Sequence, residues 1–270
     1  MPQHDTTPSQ RRTRIILVTS ATVLGAAAVV AGVAIATVGL PGATVLGQSS
    51  RSTPSSSPTP TQLATPSPTV SAGPGEVVVN GVSYNIDDPN SIQVVVNKQR
   101  PLRPKDFSPS DLVDVDVPHT WAPQLRQEAA SALVTMFQAA QSEAGLTLAS
   151  NSAYRSYSSQ QSIYDGNDAL TARPGFSEHQ TGLAIDIGAK SGHCSLAACF
   201  GDTAEGQWLA ANAYRFGFIL RYPNGQEAVT GYEYEPWHFR YIGPAAAAAY
   251  RASGAATLEQ FFGLPAAPNY

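Results

Sequence analysis

Two histidines in the second half of the chain stand in surroundings that suit metal chemistry. His179 lies in Ser177-Glu178-His179-Gln180-Thr181-Gly182-Leu183-Ala184-Ile185-Asp186, where a polar, small-residue loop runs into an apolar strand. His238 lies in Glu235-Pro236-Trp237-His238-Phe239-Arg240-Tyr241. Two imidazoles and the Asp186 carboxylate would leave a zinc ion one open position, as a catalytic rather than a structural site requires. The alternative for His238 is a side chain packed among aromatic neighbours. Glu235 bears on that choice. Three residues before His238, it would face the opposite side of a straight strand. Pro236 disfavours a continuous strand or helix and implies a bend, which would turn both side chains towards one ion. A Glu beside zinc that does not ligate it is suited to be the general base that activates water.

The other histidines read differently. His119, in Pro118-His119-Thr120-Trp121, suits a surface or capping role. His193 adjoins Cys194 in a Ser/Gly-rich loop, and His193, Cys194 and Cys199 would offer only three ligands against the usual four of a structural zinc site. A Cys194–Cys199 disulfide is the favoured reading for an exported domain. With only two cysteines, a Cys-rich zinc module or a disulfide scaffold is excluded. No Gly-rich phosphate loop or Ser nucleophile motif is present.

The rest of the chain divides by composition. Residues 15–40 are 26 positions without a charge, longer than the roughly 20 that cross a bilayer as a helix. Arg11, Arg12 and Arg14 precede this run and no Lys or Arg comes after it until Arg51, so the positive-inside rule places residues 1–14 in the cytoplasm and the chain beyond Leu40 outside. His4 is thereby separated from the other histidines. A cleaved signal peptide is the rival reading, but its apolar core is normally about 7–15 residues. Residues 41–75 read as a disordered tether: 19 of the 28 positions from Gln48 to Gly75 are Pro, Ser or Thr, too polar to offset chain entropy by burial. Residues 76–270 remain for one folded, extracytoplasmic domain of ordinary size. This body carries 12 Lys and Arg against 19 Asp and Glu, which argues against a nucleic-acid-binding surface. Nothing in the residues sets an oligomeric state.

Within the body, Asn80-Gly81 flanked by alternating valines predicts a hairpin over 76–86. Residues 92–97 read as a short strand or extended segment. Leu125, Ala129, Leu133, Met136, Phe137 and Ala140 recur at helical spacing over 122–144, with Gly145 as the stop. Strands are expected at 146–153, 185–188, 218–222 and 237–242. Helices are expected from Ser158 to about Asn167, from a Thr203 cap to Gly217, and after Pro244. Irregular mixing of strands and helices predicts an α+β domain with a small antiparallel or mixed sheet, helices beside it and one zinc cleft.

Three separated stretches, Ser-Ala-Tyr-Arg-Ser-Tyr (152–157), residues 177–186 and Glu-Pro-Trp-His (235–238), resemble in order the VanY-type D-alanyl-D-alanine carboxypeptidases. That zinc peptidase family is related to the VanX dipeptidases and the peptidoglycan LD-carboxypeptidases. Val95-Val96-Asn97-Lys98 to Pro101-Leu102 is similar to its entry region, so the likeness spans about residues 93–243. The resemblance implies one catalytic zinc on His179, Asp186 and His238, with Glu235 as base. It also implies that Arg155 stabilises charge near the scissile carbonyl, and that Ser177 and Gln160 bind the terminal carboxylate and the penultimate residue. From the residues alone, Arg155 also suits a surface ion pair, and Ser177 and Gln160 also suit turn caps. The implied activity is removal of the terminal D-Ala from peptidoglycan stem peptides by a membrane-anchored enzyme. An LD-carboxypeptidase, a cross-link endopeptidase and a non-catalytic wall-binding module are the alternatives; a binding module has no need of a base at Glu235.

Overall fold

The computed structural model describes residues 69–70 and 75–270. The expected cytoplasmic stretch, the membrane segment 15–40 and most of the tether lie outside the described residues. No helix among the described residues is long and apolar enough to cross a membrane.

The first sheet comprises β1 (Thr69–Val70), β2 (Glu76–Val79) and β3 (Val82–Asn85), all antiparallel. Asn80 and Gly81 join β2 to β3 with φ of 52° and 80°, the left-handed pair that a two-residue hairpin of matching twist requires. Thr69 and Val70 belong to the tract expected to be a tether, yet they pair with Val78 and Val77. The free backbone edge of β2 accepts them as a third strand, a pairing that composition does not register. Val94, Val95 and Val96 are buried but form no strand; the Val95 amide donates to Ile86 O and the chain then turns through Asn97 and Arg100.

A ribbon of β4 (Leu112–Asp114) and β5 (Gln124–Arg126) precedes α1 (Gln127–Ala144). The helix therefore starts later than its periodicity suggests, because residues 124–126 pair with β4 and the Arg126 amide donates to Gly182 O at 2.9 Å. β6 (Leu148–Ser152) leads to α2 (Tyr157–Ile163), capped by the Ser156 hydroxyl, which accepts from the Ser159 amide. This helix ends before the expected Asn167: Tyr164 is already extended, and Gly166 comes soon after at φ 92°. Next come β7 (Ala184–Ala189) and α3 (Ala204–Asn212), whose Thr203 cap accepts from the Gly206 amide. β8 (Phe218–Leu220), α4 (Glu227–Thr230), β9 (His238–Tyr241), α5 (Pro244–Ser253) and α6 (Leu258–Phe261) complete the domain.

The four-stranded sheet has the order β6-β7-β9-β8, antiparallel throughout. Ile185, Ile187, Phe239 and Tyr241 alternate onto one face and pack in a core with Leu133 and Met136 of α1. The intervening Asp186, His238 and Arg240 take the other face, yet they too are buried. A second core joins Val77 and Tyr84 of the hairpin to Leu258, Phe261 and Phe262.

Two glycines separate backbone strain from collision. Gly145 ends α1 at φ +68° with open space where a Cβ would stand, whereas Gly217 enters β8 at φ +86° with Tyr241 only 2.6 Å from that position. We expect Gly145→Ala to cost about 1–2 kcal/mol from left-handed backbone alone and Gly217→Ala to cost more. Urea midpoints should fall in that order, and equal midpoints would contradict the packing at Gly217.

Candidate active site

The centre of the four-stranded sheet does much of the assembly. Asp186 on β7 is the direct register partner of His238 on β9, and Ser152 of β6 flanks it across a bulge. Directly opposed residues hold their side chains close on one face, so two strands deliver a carboxylate and an imidazole together: His238 Nδ1 lies 3.1 Å from Asp186 Oδ1. His179 arrives from the 3₁₀ turn Glu178–Thr181, closed by Gly182 at φ 67°. Its Nδ1 bonds Ala153 O at 2.7 Å, which turns Nε2 to within 3.4 Å of Asp186 Oδ2. The turn expected at Pro236 is present. The His238 amide donates to Glu235 O at 3.0 Å, and Glu235 Oε2 comes within 3.8 Å of His238 Nδ1.

Arg155, Gln160, Ser177, His179, Asp186, Glu235 and His238 all line one cleft of about 220 Å³. The Arg155 guanidinium is held by Gln160 Oε1 at 2.9 Å and Ser152 Oγ at 3.3 Å, not by a surface carboxylate. Gln160 is fully buried, and its amide nitrogen donates to Ala172 O at 2.7 Å. Both ends of its amide are thus engaged in fixing Arg155 against the 164–176 loop. Ser177 is buried, lines the cleft and makes no capping bond. His119 lies elsewhere, with Nδ1 against Val117 O. Cys194 and Cys199 form a disulfide, which removes the alternative zinc site with His193 and sets Leu196 at the rim of the cleft.

Electrostatics reflect burial and pairing. Burial opposes charge on Asp186, but the two histidines outweigh it and hold the carboxyl far below the usual range. Burial likewise opposes the His238 imidazolium, yet hydrogen bonds to Asp186 and Glu178 push it up to about 9. His179 is lowered, chiefly by burial. Glu235 lacks a comparably strong partner, so burial raises its carboxyl to about 8 against the pull of His238. Burial lowers Arg155, while Asp186 and Glu235 favour its charge.

His179, Asp186 and His238 each offer one donor atom, and these lie within 4.8 Å of one another. Zinc bonds of about 2.0–2.2 Å would make the edge of a coordination tetrahedron about 3.4 Å, and each imidazole stands at about that distance from one oxygen of Asp186, His238 Nδ1 at 3.1 Å from Oδ1 and His179 Nε2 at 3.4 Å from Oδ2. The set of two imidazoles and a carboxylate also fits zinc chemically.

Glu178 escaped the sequence reading. Its side chain is fully buried, and its carboxylate approaches His238 Nε2 at 3.4 Å while accepting from Arg221 and Arg240. The available signal was the presence of Arg221 and Arg240 in the apolar stretches expected as strands at 218–222 and 237–242. Tyr222, whose ring lies 4.8 Å from that of His238, carried no such signal.

Residues 122–244 match the family model "VanY: D-alanyl-D-alanine carboxypeptidase". A Bacillus subtilis (strain 168) protein designated carboxypeptidase YodJ is 46% identical over 191 residues, covering 66% of this chain and 69% of that protein. The D-alanyl-D-alanine carboxypeptidase of Enterococcus faecium is 43% identical over 94 residues, or 34% of this chain and 29% of that protein. Among solved structures, the LdcB LD-carboxypeptidase superposes with a TM-score of 0.61 at 44% identity, over 68% of this chain and 91% of that one. A mutant VanY D,D-pentapeptidase in complex with Zn(II) gives a TM-score of 0.53 at 31% identity, over 63% of this chain and 98% of that one. Since the family match runs through the stretch of chain that builds the cleft and the likeness to a VanY structure covers 98% of that structure at 31% identity, the chain belongs to the VanY family of D-alanyl-D-alanine carboxypeptidases and is an enzyme of that family.

Proposed function

We propose that the protein is a zinc-dependent carboxypeptidase that removes the terminal D-Ala of peptidoglycan stem peptides outside the membrane. The observation that carries this reading is the convergence of His179, Asp186 and His238 on one point of a cleft that also holds Glu235 and Arg155. His179 Nε2, Asp186 and His238 Nδ1 would hold the ion. Bound there, zinc supplies the Lewis acidity that makes water a nucleophile near neutral pH and polarises the amide carbonyl. The Glu235 carboxylate takes the proton of the attacking water and passes it to the departing amine. The Arg155 guanidinium, fixed by Gln160 and Ser152, donates to the carbonyl oxygen as negative charge develops on it. The Ser177 hydroxyl receives the substrate carboxylate, a reading supported by its position in the cleft lining, and Gln160 acts by holding Arg155.

The pentapeptide ending D-Ala-D-Ala is the first substrate reading, supported by the family match and by the Enterococcus faecium relative. A second reading, the tetrapeptide cut by an LD-carboxypeptidase, is favoured by the higher TM-score and identity to LdcB. For placement in the cell, we propose residues 1–14 as cytoplasmic, 15–40 as an uncleaved anchor and 41–75 as a tether carrying the domain 76–270. The charge-free run and the preceding arginines support this, and the pairing of Thr69 and Val70 shortens the free tether.

Mass spectrometry of pentapeptide, tetrapeptide and an L-Ala-terminated control distinguishes the substrates; release of D-Ala from neither peptide defeats the proposal. Glu235→Gln should retain zinc while kcat falls about 10²- to 10⁴-fold, whereas His238→Ala should lose both metal and turnover. Wild-type turnover in Glu235→Gln would remove the base. Arg155→Ala should lower kcat by about 10²- to 10³-fold with zinc content unchanged, and a change in KM alone would contradict charge stabilisation. Fractionated cells should show the full-length chain in the membrane, cleavable by added protease; a shortened soluble product would indicate a cleaved leader.

A further inference from the structure

The fully buried side chains of Glu178, Arg221, Arg240 and Glu259 form a network with two charges of each sign. Glu178 Oε1 accepts from Arg221 Nε at 2.9 Å and from Arg240 Nη1 at 3.0 Å. The other two Arg221 nitrogens bind both oxygens of Glu259 on α6, at 3.0 and 2.6 Å. Asn97 donates to the same carboxylate at 3.1 Å. Arg240 spends its remaining donors on the carbonyls of Ile92, Val94 and Tyr241. Bringing such charges out of water costs several kcal/mol per ion, and well-packed apolar replacements are often no less stable. Stability alone therefore gives no reason for the network.

Its contact with the catalytic cleft is specific. Glu178 Oε2 faces His238 Nε2 at 3.4 Å, while the opposite ring nitrogen faces Asp186. A proton held on Nε2 leaves the Nδ1 lone pair free for a metal. A carboxylate behind a ligating imidazole fixes its tautomer and ring orientation and raises its basicity. His179 has only a neutral carbonyl in the corresponding position, that of Ala153.

We propose that Glu178 is a positioning residue for the metal site: anchored by Arg221 and Arg240, it holds His238 with Nε2 protonated and Nδ1 presented to the ion. Glu259 of α6 binds the far side of Arg221 and accepts from Asn97, and so holds α6 and the 92–100 segment together without touching His238. The inference rests on the reading of His238 as a zinc ligand, and the controls test that reading separately.

The test uses the purified full-length chain. It compares wild type, Glu178→Gln, Glu178→Asp, Glu259→Gln and His238→Ala by zinc competition against a chelating dye, visible spectra of the cobalt-substituted proteins and thermal melting. Glu178→Asp keeps the charge beside both arginines but withdraws the carboxylate from His238, so a folded protein is expected even where Glu178→Gln melts early. Both substitutions should weaken zinc binding about 10- to 100-fold and shift the cobalt bands. Glu259→Gln should lower the melting temperature while zinc affinity stays short of the roughly 10-fold loss that marks a disturbed ligand partner. Wild-type zinc affinity and cobalt bands in Glu178→Asp would overturn the positioning role, as would losses of affinity that track melting temperature across all the variants. Zinc binding by His238→Ala equal to wild type would instead overturn the ligand assignment beneath it.

Discussion

Desolvated charge is the constraint on which the rest of the structure depends. The polar face of the four-stranded sheet carries Asp186, His238 and Arg240 out of contact with water, with Glu178 and Arg221 packed against it. An isolated charge in such a place would neutralise or unfold its surroundings, so each must meet a partner of fixed geometry. The antiparallel register meets this demand at its centre, where Asp186 and His238 stand opposite one another. A slip of β9 by one residue would turn His238 to the face that Phe239 now takes and leave Asp186 without its partner. The α1 core therefore does more than stabilise the sheet: by requiring Ile185, Ile187, Phe239 and Tyr241 on its side, it fixes which residues occupy the other.

The walls of the cleft are secured from several distant parts of the chain. Gln160 ties Arg155 to the 164–176 loop through Ala172 O. That loop is further pinned by the Glu233 amide, which donates to Ala169 O, and by Arg173, whose amide donates to the Tyr270 hydroxyl. The disulfide-closed loop sets Leu196 at the rim. Between these anchors Ser177 is buried, lines the cleft and makes no capping bond. The hairpin and the C-terminal helices share the second core, and α6 reaches the buried charges through Glu259. Segments remote from the chemistry thus bear on it through rigid packing.

Much of this was legible in the residues because local signals coincide with local structure. Asn80-Gly81 requires two left-handed residues and obtains them; the stripe on α1 buries the expected side chains; Thr203 and Pro244 start helices as their chemistry dictates. The residues singled out for chemistry all reached one cleft, since His, Asp, Glu and Arg stand out where small and apolar residues surround them. Expectations diverged where pairing partners are distant in sequence. β5 takes the start of the expected helix, and β1 recruits residues from the presumed tether.

By itself, then, the sequence determined which residues had the right chemistry and which short segments would turn, cap or alternate, because those properties depend on neighbours a few positions away. Tertiary structure alone decided the register that opposes Asp186 to His238, the hydrogen bonds that join Gln160 to Arg155 and to Ala172 O, and the approach of the Glu178 carboxylate to His238. Those outcomes depend on contacts across tens of residues, with partners as far apart as Glu178 and Arg240, and on where water is excluded, which only the packed chain establishes.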